Sequence, residues 1–226
     1  MLKETIIGLA IIANTSVTST GLNQPAVVVE KQVLASHDLD LTTRLPNAFG
    51  SEIFADNILF AIHYLKGDIS DLKSKEKISG PEDVDWDKAR KPFEASFVLK
   101  PGEVFAYHKN VLPEFKDPVV TMNSRFFVDE GYKSLSGLGG NGVCHLASLI
   151  NWVATDAGLE VTAKVNHDFY PVPGVPRQNG TSILYAENGG GNSQNQNLYI
   201  KNNFNHPVKF VFKEDSKKVD LSIVSL

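Results

Sequence analysis

The chain has 226 residues, with 42% apolar and 21% charged side chains and a net charge of −4. It is too apolar to be disordered, and long enough for one large domain or one domain with a small lobe. No basic run or stripe marks a nucleic-acid footprint, so the weak charge reads as solubility and no nucleic-acid partner is expected.

Residues 1–20 read as a signal or anchor segment. Lys3 precedes the apolar run Ile6 to Ala13, and small or polar residues follow, with Val17 and Ser19 at the −3 and −1 positions of a cleavage site. The run is too short to span a bilayer securely, so membrane association would be an N-terminal matter. The competing reading of the run is a buried first strand or helix. Residues 21–226 then form a single domain. Within it, residues 25–45 are Val-rich and then carry Asp38, Asp40, Thr42 and Thr43, which reads as strand and loop. Ser51 is expected to cap a helix with Glu52 in its first turn. Phe54, Ile58, Ala61, Ile62 and Leu65 recur at helical spacing and Gly67 stops the pattern, which predicts a helix from Ser51 to Lys66 packed on a sheet. Residues 68–92 are rich in Lys, Asp, Glu and Ser, with Pro81 and Pro92, and read as an exposed insertion.

Phe97 to Leu99, the turn Lys100 to Glu103, and Val104 to Tyr107 read as strand, turn, strand. A glycine-rich run at residues 137–142 precedes an apolar helical stripe through Leu146, Leu149, Ile150, Val153 and Ala154, which Gly158 ends. Later, Leu198 to Ile200, then Val208, Phe210 and Phe212, then Val219, Leu221 and Ile223 alternate as strands of an antiparallel sheet, with Asn202, Asn203 and Asn205 to Pro207 turning between the first two. Few helices and a β-rich second half give an α+β fold, with a mixed, mostly antiparallel sheet and a cysteine at a helix N-terminus.

Cys144 is the only cysteine, so no intrachain disulfide forms. It opens the helix after the glycine run. The positive end of a helix favours thiolate over thiol, and the thiolate is the nucleophile. Gly139, Gly140 and Gly142 let backbone N–H groups converge on an oxyanion, with His145 and Ser148 beside that pocket. The plainer alternative is a tight turn with Cys144 packed inside. A cysteine nucleophile needs a base. Among six histidines, His167 stands before Pro171 and Pro173, in a stiff loop suited to hold one. Its nitrogen is expected within about 4–5 Å of the sulfur. His145 points about 100° away from Cys144 on the helix. His63 belongs to an apolar helix face and His206 to a turn. A zinc site from Cys144, His145, His167 and His108 is the rival reading, weakened because no pair has a recognised ligand spacing. No metal or cofactor is expected, and nothing in the sequence fixes an oligomeric state.

Leu99 to Ala106 (LKPGEVFA) resembles the PGE-x-F-S segment of VanW-like domains, and Gly139 to Ser148 (GGNGVCHLAS) resembles their GGG-hydrophobic-CQ-x-S segment. Asp156 to Glu160 (DAGLE) is similar to the family's AGLE continuation, and His167 falls where the family has a histidine. Leu198 to Asn203, with His206 to Val208, resembles its N-N-x-x-x-P-hydrophobic strand pair. The resemblance spans roughly residues 34–224. It implies an extracytoplasmic setting in the bacterial envelope and a peptidoglycan peptide substrate. It also implies L,D-transpeptidase-like chemistry through a thioester at Cys144, with His167 handling the proton. The chain departs from the pattern at Asn141, which interrupts the third glycine, and at His145, which replaces Gln. It departs again at Asn179, which replaces Asp and is expected to orient His167 as Asn does in Cys-His-Asn sites. An inactive envelope-binding module that keeps the fold is the alternative these departures imply.

Overall fold

In chain order the elements are β1 (Val33–Asp40), α1 (Ser51–Lys66), α2 (Trp86–Ala89), β2 (Glu94–Leu99), β3 (Val104–Ala106), β4 (Val120–Thr121), α3 (Val143–Asp156), β5 (Glu160–Thr162), β6 (Tyr199–Lys201), β7 (Val208–Glu214) and β8 (Lys218–Ser225), with short 3-10 turns between them. The computed structural model describes residues 32–45, 50–67, 69–137, 139–215 and 217–226; the expected signal or anchor segment, residues 1–20, lies outside them. Among the described residues the fold is α+β, built on two four-stranded sheets rather than one. The first runs β1-β8-β7-β2 and is antiparallel throughout. The second runs β4-β3-β6-β5, with β3 and β4 parallel and the other pairs antiparallel.

The alternation in β8 does what its period demands: Val219, Leu221 and Ile223 are buried, and the residues between them are partly exposed. β7 buries Val208, Phe210 and Phe212 on the same face. β6 does not join them, although it was expected in the same sheet. Asn202, fully buried, donates through its amide to the carbonyls of Leu99 and His206 (both 2.9 Å), and this side chain turns the chain out of β6 before β7 begins. The turn after β2 has the same consequence. β2 pairs with β7 and β3 with β6, so the strand-turn-strand segment crosses between sheets instead of closing a hairpin. Phe97 of β2 stacks on Phe105 of β3 (ring centroids 5.3 Å) and on Phe210 of β7 (4.5 Å), so one aromatic column joins both sheets.

α1 has the expected bounds and buries Ile58 and Ile62 completely, while Phe54 and Leu65 stay half-buried. Its cap differs from expectation. Gly50, at φ 84°, is the N-cap, and Ser51 is the first helical residue, its hydroxyl accepting from Leu45 N–H at 3.0 Å. α3 buries its whole predicted stripe, Leu146, Leu149, Ile150, Val153 and Ala154. It is clasped to β1 by His37, whose ring stacks on Trp152 at 3.5 Å and whose Nε2 meets Asp156 at 2.6 Å. Residues 69–92 are more than a solvated insertion. They bury Leu72, Ile78, Val84 and Ala89, and Asp85 caps α2 by accepting from Lys88 N–H.

Candidate functional site

Gly142 sets the start of α3. Its φ of 96° suits glycine, and a Cβ there would run into the backbone of Phe54 on α1, whose Cα would lie 3.0 Å away. The glycine run is therefore pressed against α1. Asn57, fully buried on α1, holds it there. Its amide donates to Lys133 O and Asn141 O (2.9 Å each), and its Oδ1 accepts from Lys133 N–H at 2.8 Å. Asn141 is no mere interruption of the glycines: its Oδ1 accepts from Leu135 N–H at 2.8 Å and closes the loop. From the other side, fully buried Tyr107 donates its hydroxyl proton to Val143 O at 3.0 Å.

Cys144 follows as the second residue of α3. It lines a cavity of about 600 Å³ that also contains Gly139, Gly140, Gly142, His145 and His167. Six of the expected site residues thus meet in one cavity. Ser148 and Asn179 lie beneath it. Ser148, fully buried, donates to Cys144 O (2.7 Å) and accepts from Thr181 N–H (2.9 Å). One turn on, Asn151 donates to Asn179 O and to Thr181 Oγ1, both at 3.0 Å. These bonds fasten residues 179–183 along α3, and Ile183 is the result that matters. Its N–H donates to the Cys144 sulfur at 3.3 Å, and its carbonyl accepts from the thiol at 3.7 Å.

The thiol's ionisation runs opposite to what its helix position predicts. Burial pushes it from 9.0 up to about 11, and the N–H groups of Ile183 and of Cys144 itself only partly oppose that. The residue keeps partial exposure on the cavity wall, but the enclosed sulfur outweighs the helix end, so the resting group is a thiol rather than the expected thiolate. The expected convergence of free N–H groups is also partly spent: Val143 N–H bonds Gly140 O at 3.0 Å and His145 N–H bonds Gly142 O at 2.9 Å.

His167, largely buried, has Nδ1 2.6 Å from Tyr170 O, so Nδ1–H donates to that carbonyl and Nε2 carries the lone pair. The orienting acceptor is this main-chain carbonyl in place of Asn179. Among the described residues Asn179 makes no side-chain bond to the ring, and its carbonyl serves Asn151. No hydrogen bond joins Cys144 to His167; among the described residues both of the sulfur's partners are on Ile183. His145 stands between chemistry and core. Its ring lies 6.2 Å from that of His167 and 5.0 Å from that of Phe54, and burial holds it down to about 3. His108 lies elsewhere, its Nε2 on Gln196 O at 3.0 Å. Among the described residues no three His, Cys, Asp or Glu side chains converge as ligands, so the four residues of the zinc reading form no ligand set. Sequence reasoning missed Asn57, Ile183 and Phe169, which is 80% exposed at the cavity and 4.2 Å from the His167 ring. An aromatic followed by Tyr170 and Pro171 was the only visible signal.

No curated protein and no solved structure matches the chain. A protein-family model, that of the VanW-like proteins, matches residues 94–224, which holds β2 to β8, the glycine run, Cys144 and His167; the chain belongs to that family.

Proposed function

We propose that this chain is a cell-envelope cysteine acyltransferase acting on peptidoglycan stem peptides. The observation that carries the reading is a cysteine at the head of a buried helix sharing one cavity with a histidine of fixed tautomer. Substrate binding draws the thiol away from Ile183 O and towards the free Nε2 of His167. His167 takes the proton as the sulfur attacks a stem-peptide carbonyl. The tetrahedral intermediate collapses, and His167 returns the proton to the departing amine. A thioester remains on Cys144. The amine of a second stem attacks the thioester, His167 takes its proton, and that proton returns to the Cys144 sulfur as it leaves. The apolar wall of Leu45, Phe54, Leu135 and Ile183 suits a peptide more than a small polar substrate.

The reading places the chain outside the cytoplasm, with residues 1–20 as export signal or N-terminal membrane tether. Among the described residues no helix is long and apolar enough to cross a membrane. The second reading, an inactive envelope-binding module, draws support from the raised thiol and the sulfur's engagement by Ile183. Incubation with muropeptides, followed by mass spectrometry, separates the two. Cross-linked or trimmed stems from the native chain and none from Cys144→Ala support the enzyme; identical product profiles support the binding module.

A further inference from the structure

Next to Leu45, which lines the cavity, sits a buried cation with no paired counter-ion among the described residues. Arg44 is 1% exposed; its Nη2 donates to Pro173 O at 3.1 Å, while Nε and Nη1 have no hydrogen-bond partner among the described residues. No carboxylate pairs with it among the described residues. Asp40, whose charge bears on it, is exposed and is held by Thr42 N–H and Thr42 Oγ1, both at 2.7 Å. His145 repeats the pattern. It is 1% exposed, lines the cavity, and leaves both ring nitrogens without a partner among the described residues. His167 faces it edge-on, and Asp168, next in the chain, is turned outward to Arg177 at 3.5 Å.

Orphaned buried donors and an unpaired buried charge each cost folding free energy, so the fold carries a deficit that an anion would cancel. An unpartnered imidazole on the cavity wall with a buried guanidinium charge near it matches a carboxylate, which accepts the ring N–H and answers the charge. We propose that His145, backed by the buried charge of Arg44, forms a receptor for the carboxylate of a short peptide, which seats that peptide beside Cys144. The assignment rests on the acyltransferase reading for the peptide, but the receptor itself stands on Arg44 and His145. The carboxylate meets His145 on the cavity wall, with the charge of Arg44 beyond it, reached through Leu45, which lines the same cavity. The scissile carbonyl would then be held by charge at one end and by the apolar wall at the other.

The test uses the full chain with N-acetylalanine, its carboxamide and inorganic phosphate, read by calorimetry and by the ring NMR signals of His145. N-acetylalanine is expected to bind at least about tenfold tighter than the carboxamide and to shift the His145 signals. Arg44→Met is expected to remove that preference, and Arg44→Lys to keep part of it. Should Arg44→Met fail to fold, the acid-against-amide ratio on the native chain decides alone. N-acetylglutamic acid α-amide, whose only carboxylate is on the side chain, shows which kind of carboxylate is taken; binding of either one, lost in the carboxamide, supports the receptor. Equal binding of acid and amide, unchanged binding in a folded Arg44 variant, or tighter binding of phosphate overturns it. Intact-mass detection of a thioester on the native chain, set beside its acid-against-amide ratio, separates the two claims. Acid preference in a chain that never forms a thioester leaves the receptor standing without the enzyme, and thioester formation without acid preference does the reverse.

Discussion

Replacing Ser148 with alanine tests whether α3 and the segment carrying Ile183 act as one unit. The Ser148 hydroxyl accepts from Thr181 N–H at 2.9 Å, and both residues are fully buried. Without that oxygen the fully buried Thr181 N–H loses its acceptor, a loss of about 1–3 kcal/mol. The change in volume is small, so this orphaned donor dominates. The second consequence is chemical. Ile183 lies two residues on and grips the sulfur through its N–H and carbonyl, so a loosened segment lets water reach the thiol. If the thiol moves back from about 11 towards its ordinary 9.0, each unit recovered raises the thiolate fraction at neutral pH by about tenfold. Urea unfolding gives the first quantity and the rate of iodoacetamide alkylation at fixed pH gives the second. Ser148→Ala should unfold about 1–3 kcal/mol more easily and alkylate faster than the native chain. A loss below about 0.5 kcal/mol with an unchanged alkylation rate would refute the coupling.

Two buried histidines predict the acid behaviour. Burial lowers His108 from 6.5 to about 4 and His145 from 6.5 to about 3, so their stabilising contribution is whole above pH 6.5 and is lost as pH falls through 4 and then 3. Urea midpoints measured down that range should fall steeply in the native chain and more gently in His145→Gln; parallel curves would contradict the assignment. Gly142→Ala should cost more than the roughly 1–2 kcal/mol of left-handed strain alone, because its Cβ meets the Phe54 backbone. Gly102→Ala, at φ 79° with nothing within 4 Å, should cost no more than that strain; equal losses by thermal unfolding would remove the close-contact argument. Ile58→Ala, at a fully buried position, should cost about 2–5 kcal/mol in urea, and a loss under about 1 kcal/mol would mean the α1 core face is misassigned.

Periodicity made α1, the buried stripe of α3 and the alternation of β8 legible, because each is a local pattern repeated against one core. Sheet membership was not local. One buried amide, Asn202, sends β6 and β7 into different sheets, and an asparagine pair between two strands reads in sequence as an ordinary turn. In the site, the glycine run, Cys144 and His167 were readable, and they line one cavity. The ionisation of Cys144 was not, since a helix end is visible in sequence while the burial that outweighs it exists only in the packed fold, where even the N–H of Ile183, 39 residues away, offsets it only in part. The orienter of His167 escaped for a related reason: any residue can offer a carbonyl, and Tyr170 does. Arg44 carries no local signal in the sequence; only packing shows it to be buried and without an ion-pair partner among the described residues.

The central claim is that Cys144 becomes acylated by a stem peptide. Intact-protein mass spectrometry after brief exposure to purified muropeptides, with acid quenching to preserve thioesters, reads that directly. The account predicts an added stem-peptide acyl mass on the native chain, removed by hydroxylamine, slower to appear in His167→Gln and absent from Cys144→Ala. An unmodified native chain, together with unchanged muropeptides after prolonged incubation, would contradict it.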